Sequence, residues 1–159
     1  MSANDQQVGG SHYKTSYEHW DFVLATGMGY LEGNATKYVA RWRKKGGIAD
    51  LRKALHYLNK LDENCVRASY ISVRIPHSVA LATVERFARA NMLTSLERTF
   101  CECLATRLSA DGLVAARESL FRIMDEAEEQ LPAARPVPLK EENHHAQRDG
   151  QADEDYLGV

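Results

Sequence analysis

Between residues 37 and 60 the chain carries eight basic side chains (Lys37, Arg41, Arg43, Lys44, Lys45, Arg52, Lys53 and Lys60) against a single acid, Asp50. If this stretch is helical, Asn34, Lys37, Arg41 and Lys45 recur at i, i+3, i+7 and i+11 and share one edge. Several fixed donors on one edge suit a phosphate chain, with Arg as a fork and Lys as a point charge. Gly46-Gly47 follows, and this pair with the next helix N-terminus is expected to add backbone N–H groups. Upstream, His12, Tyr13 and Lys14 stand after a Gly-Gly-Ser run and are expected to fold over the cations as a lid, with Tyr13 or Tyr57 stacking on a base. A solvated basic helix edge explains the same spacing without a ligand. A surface for RNA or DNA is a third reading, which the small patch and the acidic C-terminal stretch disfavour. Lys37 and Arg41 fall off the apolar arc, so truncating either is expected to leave the fold intact.

Other chemistry-bearing residues read more simply. No phosphate-loop pattern is present, and Gly27, Gly29 and Gly33 have neither the dinucleotide spacing nor a strand before them. Kinase sequence blocks are missing as well. Asp125, Glu126, Glu128 and Glu129 could imitate a metal-binding carboxylate helix but read as a solvated face. Cys101 and Cys103 point to different sides of a helix and read as core or half-buried thiols. His56 reads as structural, and His144-His145 as incidental. With few acids beside the cations, no Mg²⁺ cage is visible, so no tightly bound cofactor is expected and any Mg²⁺ would arrive on the nucleotide.

The elements that must hold these residues are helices. Residues 1–16 read as an N-terminal arm, with Ser16 a candidate N-cap for a short helix from about Tyr17 to Ala25 or Met28. A second helix is expected from about Leu31 to Lys45, with Leu31, Ala35, Tyr38, Val39 and Trp42 inward. Gly46-Gly47 ends it. A third, from about Ile48 to Arg67, turns Leu51, Ala54, Leu55, Leu58, Leu61 and Cys65 to one side and Asp50, Lys53, Tyr57 and Asn64 to the next. Residues 69–76 alternate and are β-branched, but lack a partner strand, and read as a linker. Helical patterns resume at about 78–92, 95–108 and 111–131. Residues 132–159 are charged and poor in apolar side chains and read as a disordered tail.

The whole is bounded by composition. A chain of 159 residues with 44% hydrophobic content supports one domain or two small halves sharing a core. No run of about 18 apolar residues exists to cross a membrane, and the first residues lack a secretory pattern. Three cysteines without zinc spacing fit a reducing cytosol. The net charge of −2 excludes bulk attraction to polyanions. Charge is unevenly placed, since residues 140–159 hold six acids and two bases.

Sliding the chain on itself by 65 residues aligns eight identities in forty positions: Phe22/Phe87, Ala25/Ala90, Leu31/Leu96, Glu32/Glu97, Ala40/Ala105, Gly47/Gly112, Arg52/Arg117 and Leu55/Leu120. This predicts two helical hairpins related by a pseudo-twofold, 17–68 and a degenerate 77–131. The fold class expected is therefore all-α, a small bundle of pseudo-repeated hairpins. Asn34, Lys37, Tyr38, Arg41 and Lys45 become Thr99, Glu102, Cys103, Thr106 and Ala110, so the site is expected on the first half alone. Trp20, Trp42, Phe87 and Phe100 look like too many aromatics for one core. That surplus suggests a homo-oligomer with a pocket near a subunit or half-domain boundary.

Specific strings carry a resemblance. Val8-Gly9-Gly10-Ser11-His12-Tyr13-Lys14, Trp20-Asp21-Phe22, the run from Tyr30 through Asn34-Ala35-Thr36-Lys37-Tyr38-Val39-Ala40-Arg41 to Trp42, and the run from Lys45-Gly46-Gly47 to Leu58 resemble the SaV-like domain family of phage proteins. The resemblance covers about residues 8–62. Trp20 and Thr36 depart from the family's usual Pro and Ile, and neither change touches a cation. The family includes a nucleotide kinase without a P-loop that phosphorylates deoxynucleoside monophosphates. The resemblance thus implies a phage protein in the host cytoplasm that binds nucleotides, transferring a phosphoryl group from a nucleoside triphosphate to a deoxynucleoside monophosphate. His12, Lys14 and Arg41 would serve catalysis, and Tyr13, Asn34, Lys37, Tyr38, Arg41, Lys45, Gly46, Gly47, Lys53 and Tyr57 nucleotide binding. The alternative is a non-catalytic phage protein that sequesters a nucleotide signal or inhibits a host protein.

Overall fold

A computed structural model describes Asn4 and residues 15–66, 75–106 and 109–130. The arm residues His12, Tyr13 and Lys14, most of the expected linker, and the tail lie outside the described residues. Among those described there are six α-helices, one 3-10 turn and no strand: α1 (His19–Thr26), α2 (Tyr30–Arg41), the 3-10 turn Trp42–Lys44, α3 (Ile48–Val66), α4 (His77–Asn91), α5 (Ser95–Thr106) and α6 (Ala110–Glu129). No helix among them is long and apolar enough to cross a membrane.

The shift of 65 residues is written into the backbone. Moving α2 by that amount lands on α5 end for end, and the last residue of α1 lands on the last residue of α4. Gly27 and Met92 follow those helices, and both are left-handed, with φ of 68° and 56°. The hydrogen bonds that close the two ends also correspond. Gly27 N donates to Leu24 O and Met28 N to Val23 O, while Met92 N donates to Arg89 O and Leu93 N to Ala88 O. Contacts between the halves pair α1 with α4, α2 with α5 and α3 with α6, each helix on its own counterpart, a pattern that a twofold allows. Phe22 and Phe87, also counterparts, stack face to face with centroids 4.2 Å apart and planes 6° from parallel.

One core runs through both halves. It contains Phe22, Ala35, Val39, Trp42, Leu51, Ala54, Leu58 and Leu61 from the first, and Val84, Phe87, Phe100, Leu104, Leu113, Ala116, Leu120 and Ile123 from the second. Trp42, Phe87 and Phe100 all fit in it, and only Trp20 of the four large aromatics is left 44% exposed. Of the four aromatics behind the expected homo-oligomer, three are thus covered within one chain. Among the buried carboxylates are a further pair of counterparts, Glu32 and Glu97. Each stands three residues after its N-cap, Gly29 and Thr94. Thr94 and Glu97 make a capping box, with Thr94 N donating to Glu97 Oε2 at 2.8 Å and Glu97 N to Thr94 Oγ1 at 3.4 Å.

Two local expectations are corrected. Glu18, not Ser16, is the N-cap of α1, and its side chain makes no capping bond. The second helix does not run to Lys45. It ends at Arg41 and tightens into the 3-10 turn, which Glu97 fastens by accepting from Trp42 Nε1 at 2.5 Å and Arg43 NH1 at 2.6 Å. Burying Trp42 requires its indole N–H to find a partner, and Glu97 from the other half supplies it.

Candidate functional site

The turn at 42–47 sends α3 back along α2, so side chains from the two helices meet in register. At the turn end, Arg41 and Asp50 face each other. Asp50 is the one acid within the basic stretch, and its side chain is 1% exposed. It accepts from Arg41 Nε at 2.9 Å, from Arg41 NH2 at 3.3 Å and from Lys53 Nζ at 3.0 Å. Burial alone would raise its pKa. The hydrogen bonds from Arg41 and Lys53 outweigh that and hold it below the ordinary carboxylate range.

Further along lies an aromatic ladder. Tyr38 and Tyr57 stack with centroids 5.7 Å apart, and Tyr30 meets Tyr57 edge-on at 5.9 Å with the two hydroxyls 3.4 Å apart. That hydroxyl contact is the main reason the Tyr57 phenol is pushed up to about 12. Arg41 lies over the Tyr38 ring at 4.6 Å and Lys53 at 5.3 Å, so the cations and the tyrosines form one continuous surface.

Of the residues expected in the site, the structure brings together Tyr38, Arg41, Lys53 and Tyr57. Asn34 turns back on its own helix, donating to Tyr30 O at 2.8 Å. Lys37 is half-buried, and its charge acts on His19 of α1. Lys45 is exposed and lies beyond the 3-10 turn, with φ −139° and ψ −70°, so it leaves the stripe that a continuous helix would have extended to it. The glycine pair does not present both amides to a ligand. Gly47 N donates to Trp42 O at 2.8 Å. Gly46 has another role: a Cβ there would fall on the Asp50 carboxylate, so only glycine lets the turn close over that buried charge. The expectation that Arg41 can be removed without cost is also corrected, since its side chain is only 13% exposed and it clasps a buried anion.

Sequence reasoning missed Tyr30 and the role of Asp50, although one acid among eight bases was a signal. It also missed His19. With Phe22 and Thr26, His19 follows the i, i+3, i+7 stripe of α1 that faces inward. Its Nε2 lies 3.0 Å from Thr36 Oγ1, and its ring meets Phe87 edge-on at 5.8 Å. The Thr36 hydroxyl has backbone acceptors at Glu32 O and Gly33 O, which assigns the Nε2 proton to His19. Burial, then the positive charges of Lys37 and Arg41, lower the His19 pKa to about 4. No group of three His, Cys, Asp or Glu that could hold a metal occurs among the described residues. Cys101 is buried, which raises its thiol pKa, and Cys103 is half-buried. Asp125, Glu126, Glu128, Glu129 and His56 are exposed.

Residues 9–59 match a protein family of unknown function, DUF3310. The matched stretch takes in α1, α2 and most of α3, and none of the second half. No curated protein and no solved structure matches the chain.

Proposed function

We propose that the α2–α3 face of the first half binds a nucleotide, with the base against Tyr30 and Tyr57 and the phosphates toward Lys53 and Lys37. The observation that carries this reading is the tyrosine ladder continuing into cations that surround one buried carboxylate. A base needs a π-face and a phosphate chain needs fixed donors, and two antiparallel helices offer both side by side. The resemblance adds His12, Tyr13 and Lys14, outside the described residues, to the groups that would serve this site. The resemblance to SaV-like domains extends the reading to phosphoryl transfer, in the cytoplasm of a phage-infected host. An oxygen of a deoxynucleoside monophosphate would attack the γ-phosphorus of a nucleoside triphosphate, the bond to the β-phosphate would break, and a diphosphate would leave. Such a step depends on positioning and on neutralising charge, which Lys53, Lys37 and Lys14 would supply, with Mg²⁺ carried in by the nucleotide.

One observation favours a second reading, a binder that holds a nucleotide without turning it over. Arg41, the side chain best suited to bridging a moving phosphoryl group, is already committed to Asp50. The test is a thermal-shift panel of nucleoside mono- and triphosphates, followed by a turnover assay on those that bind. Tyr57→Ala and Lys53→Ala should weaken binding about ten- to a hundredfold, the value of a charged hydrogen bond or a stacked base. Their counterparts in the second half, Arg122→Ala and Glu118→Ala, should leave it unchanged. Nucleotide shifts that persist in a Lys53→Ala/Tyr57→Ala chain would place binding elsewhere. Binding without turnover would select the second reading.

A further inference from the structure

The second half has a charged face of its own. Along the outer side of α4 and the start of α5 stand Arg86, Arg89 and Arg98, whose counterparts in the first half are Asp21, Leu24 and Gly33. The three arginines line two adjoining hollows, of about 540 and 380 Å³, which share Glu85 and Arg89 as the ridge between them. Glu85 fixes two of the forks, accepting from Arg89 Nε at 2.7 Å and from Arg98 NH1 at 2.9 Å. The Arg86 guanidinium lies over the Tyr17 ring at 4.2 Å, and both side chains line the larger hollow. Asp21, the acid that acts on the Tyr17 hydroxyl, is not part of either lining.

We propose that this hollow binds an organic phosphate carrying at least two anionic groups, one oxyanion between Arg86 and Arg89 and the other at Arg98. Three guanidiniums face one carboxylate, so the lining keeps an excess of positive charge. All three are Arg, the residue whose planar fork matches a phosphate with two parallel hydrogen bonds. Each ion pair to Glu85 uses one N–H and leaves the others of that guanidinium for a ligand. The pairs are also too exposed to be explained by stability, with Arg89 80% and Arg98 48% accessible. The larger hollow has the size of a small-molecule site rather than a bare-ion site. The site stands independently of the α2–α3 reading, since its arginines are on α4 and α5, its lining adds Ser16 and Tyr17, and it shares no residue with that face.

Calorimetric titration of the full chain with inorganic pyrophosphate at low salt tests the proposal, with sulfate as the comparison anion. Pyrophosphate should bind more tightly than sulfate. Arg86→Lys/Arg89→Lys, which keeps the charge and removes the forks, should weaken it by roughly ten- to a hundredfold, whereas Lys37→Ala/Lys53→Ala should leave a pyrophosphate site behind. The doubly substituted Lys chain should melt as the parent does, because both side chains are on the surface. Equal binding of sulfate and pyrophosphate, absence of binding by the parent, or undiminished binding by the Arg86→Lys/Arg89→Lys chain would each overturn the site.

Discussion

Gly27 and Met92 end their helices with the same pair of backbone hydrogen bonds, yet Arg41 and Asp50, which clasp each other in the first half, are Thr106 and Ala115 in the second. The two halves share helix ends and a few core contacts, while the residues that carry charge on their outer faces differ. Phe22/Phe87 and Glu32/Glu97 keep their identity because each lies at the contact between helices, where volume and hydrogen bonding are constrained together. Outside, the first half gathers tyrosines and cations on α2 and α3, and the second gathers arginines on α4 and α5. The duplicated fold is a common frame on which two unlike surfaces have been built.

The strongest test of that frame is its axis. Phe22→Ala and Phe87→Ala should each cost about 3–5 kcal/mol, the usual cost of truncating a buried aromatic. Because the rings stack, a double-mutant cycle should show a coupling of roughly 0.5–1.5 kcal/mol beyond area burial. Urea unfolding measures all three values. A small cost at one ring and a large cost at the other would mean that the halves do not share the core equally.

The next largest difference should separate Arg41 from Thr106. Arg41→Ala leaves Asp50 buried with Lys53 as its remaining ion partner among the contacts above, at a cost of about 3 kcal/mol. Thr106→Ala removes only a hydroxyl bonded to Glu102 O in its own helix and should cost under about 1 kcal/mol. Adding Asp50→Ala to Arg41→Ala should recover part of the loss, because no buried charge remains. Gly46→Ala should resemble Arg41→Ala, since its Cβ displaces the same carboxylate. An Arg41→Ala chain as stable as the parent would show the clasp to be dispensable.

His19 and its counterpart Val84 should differ in how they respond to pH. His19 has a folded pKa of about 4, below the 6.5 of an unfolded histidine, so protons prefer the unfolded chain between those values. Its contribution is full above pH 6.5 and is lost as pH falls toward 4, by a total on the order of 3 kcal/mol. Asp50, held low by its partners, contributes fully above the ordinary carboxylate range and loses that contribution as pH falls from that range toward its lowered pKa, below most of the histidine window. Replacing His19 with valine, to copy Val84, should therefore flatten the stability profile between pH 6.5 and 4. Chemical denaturation at a series of pH values checks this, and an unchanged slope would show that His19 is solvated and titrates normally.

Much of this architecture was legible in the sequence because packing leaves periodic traces. The inward stripes of α2 and α3, the all-α class and the 65-residue echo all follow from side chains that must meet a core. The cationic edge was legible too, but its state was not. Whether Arg41 faces solvent or Asp50 depends on how the turn at 42–47 returns α3 along α2, and a 3-10 turn held by Glu97 from the other half cannot be read from local spacing. Tyr30 was missed because its partner Tyr57 lies 27 positions away. His19 was missed because one polar residue in a short helix breaks the apolar pattern that would have marked it as inward.

The smallest predicted effect concerns the two helix ends. Gly27 suits the left-handed conformation, whereas Met92, the one non-glycine residue with positive φ among those described, holds it against a steric cost of roughly 1 kcal/mol. The Met92 side chain is 77% exposed, so its removal takes almost nothing from the core. Met92→Gly should therefore stabilise the chain by about 0.5 kcal/mol, less than the strain relieved because glycine also gives the unfolded chain more freedom. Gly27→Ala, the reverse exchange at the matching position, should destabilise by about 1 kcal/mol. Because both ends carry the same hydrogen bonds, the two changes should have opposite signs, measured as shifts of the urea midpoint at constant slope. Two shifts of the same sign would mean that the left-handed turn is built differently in the two halves, and the correspondence between them would end at their helices.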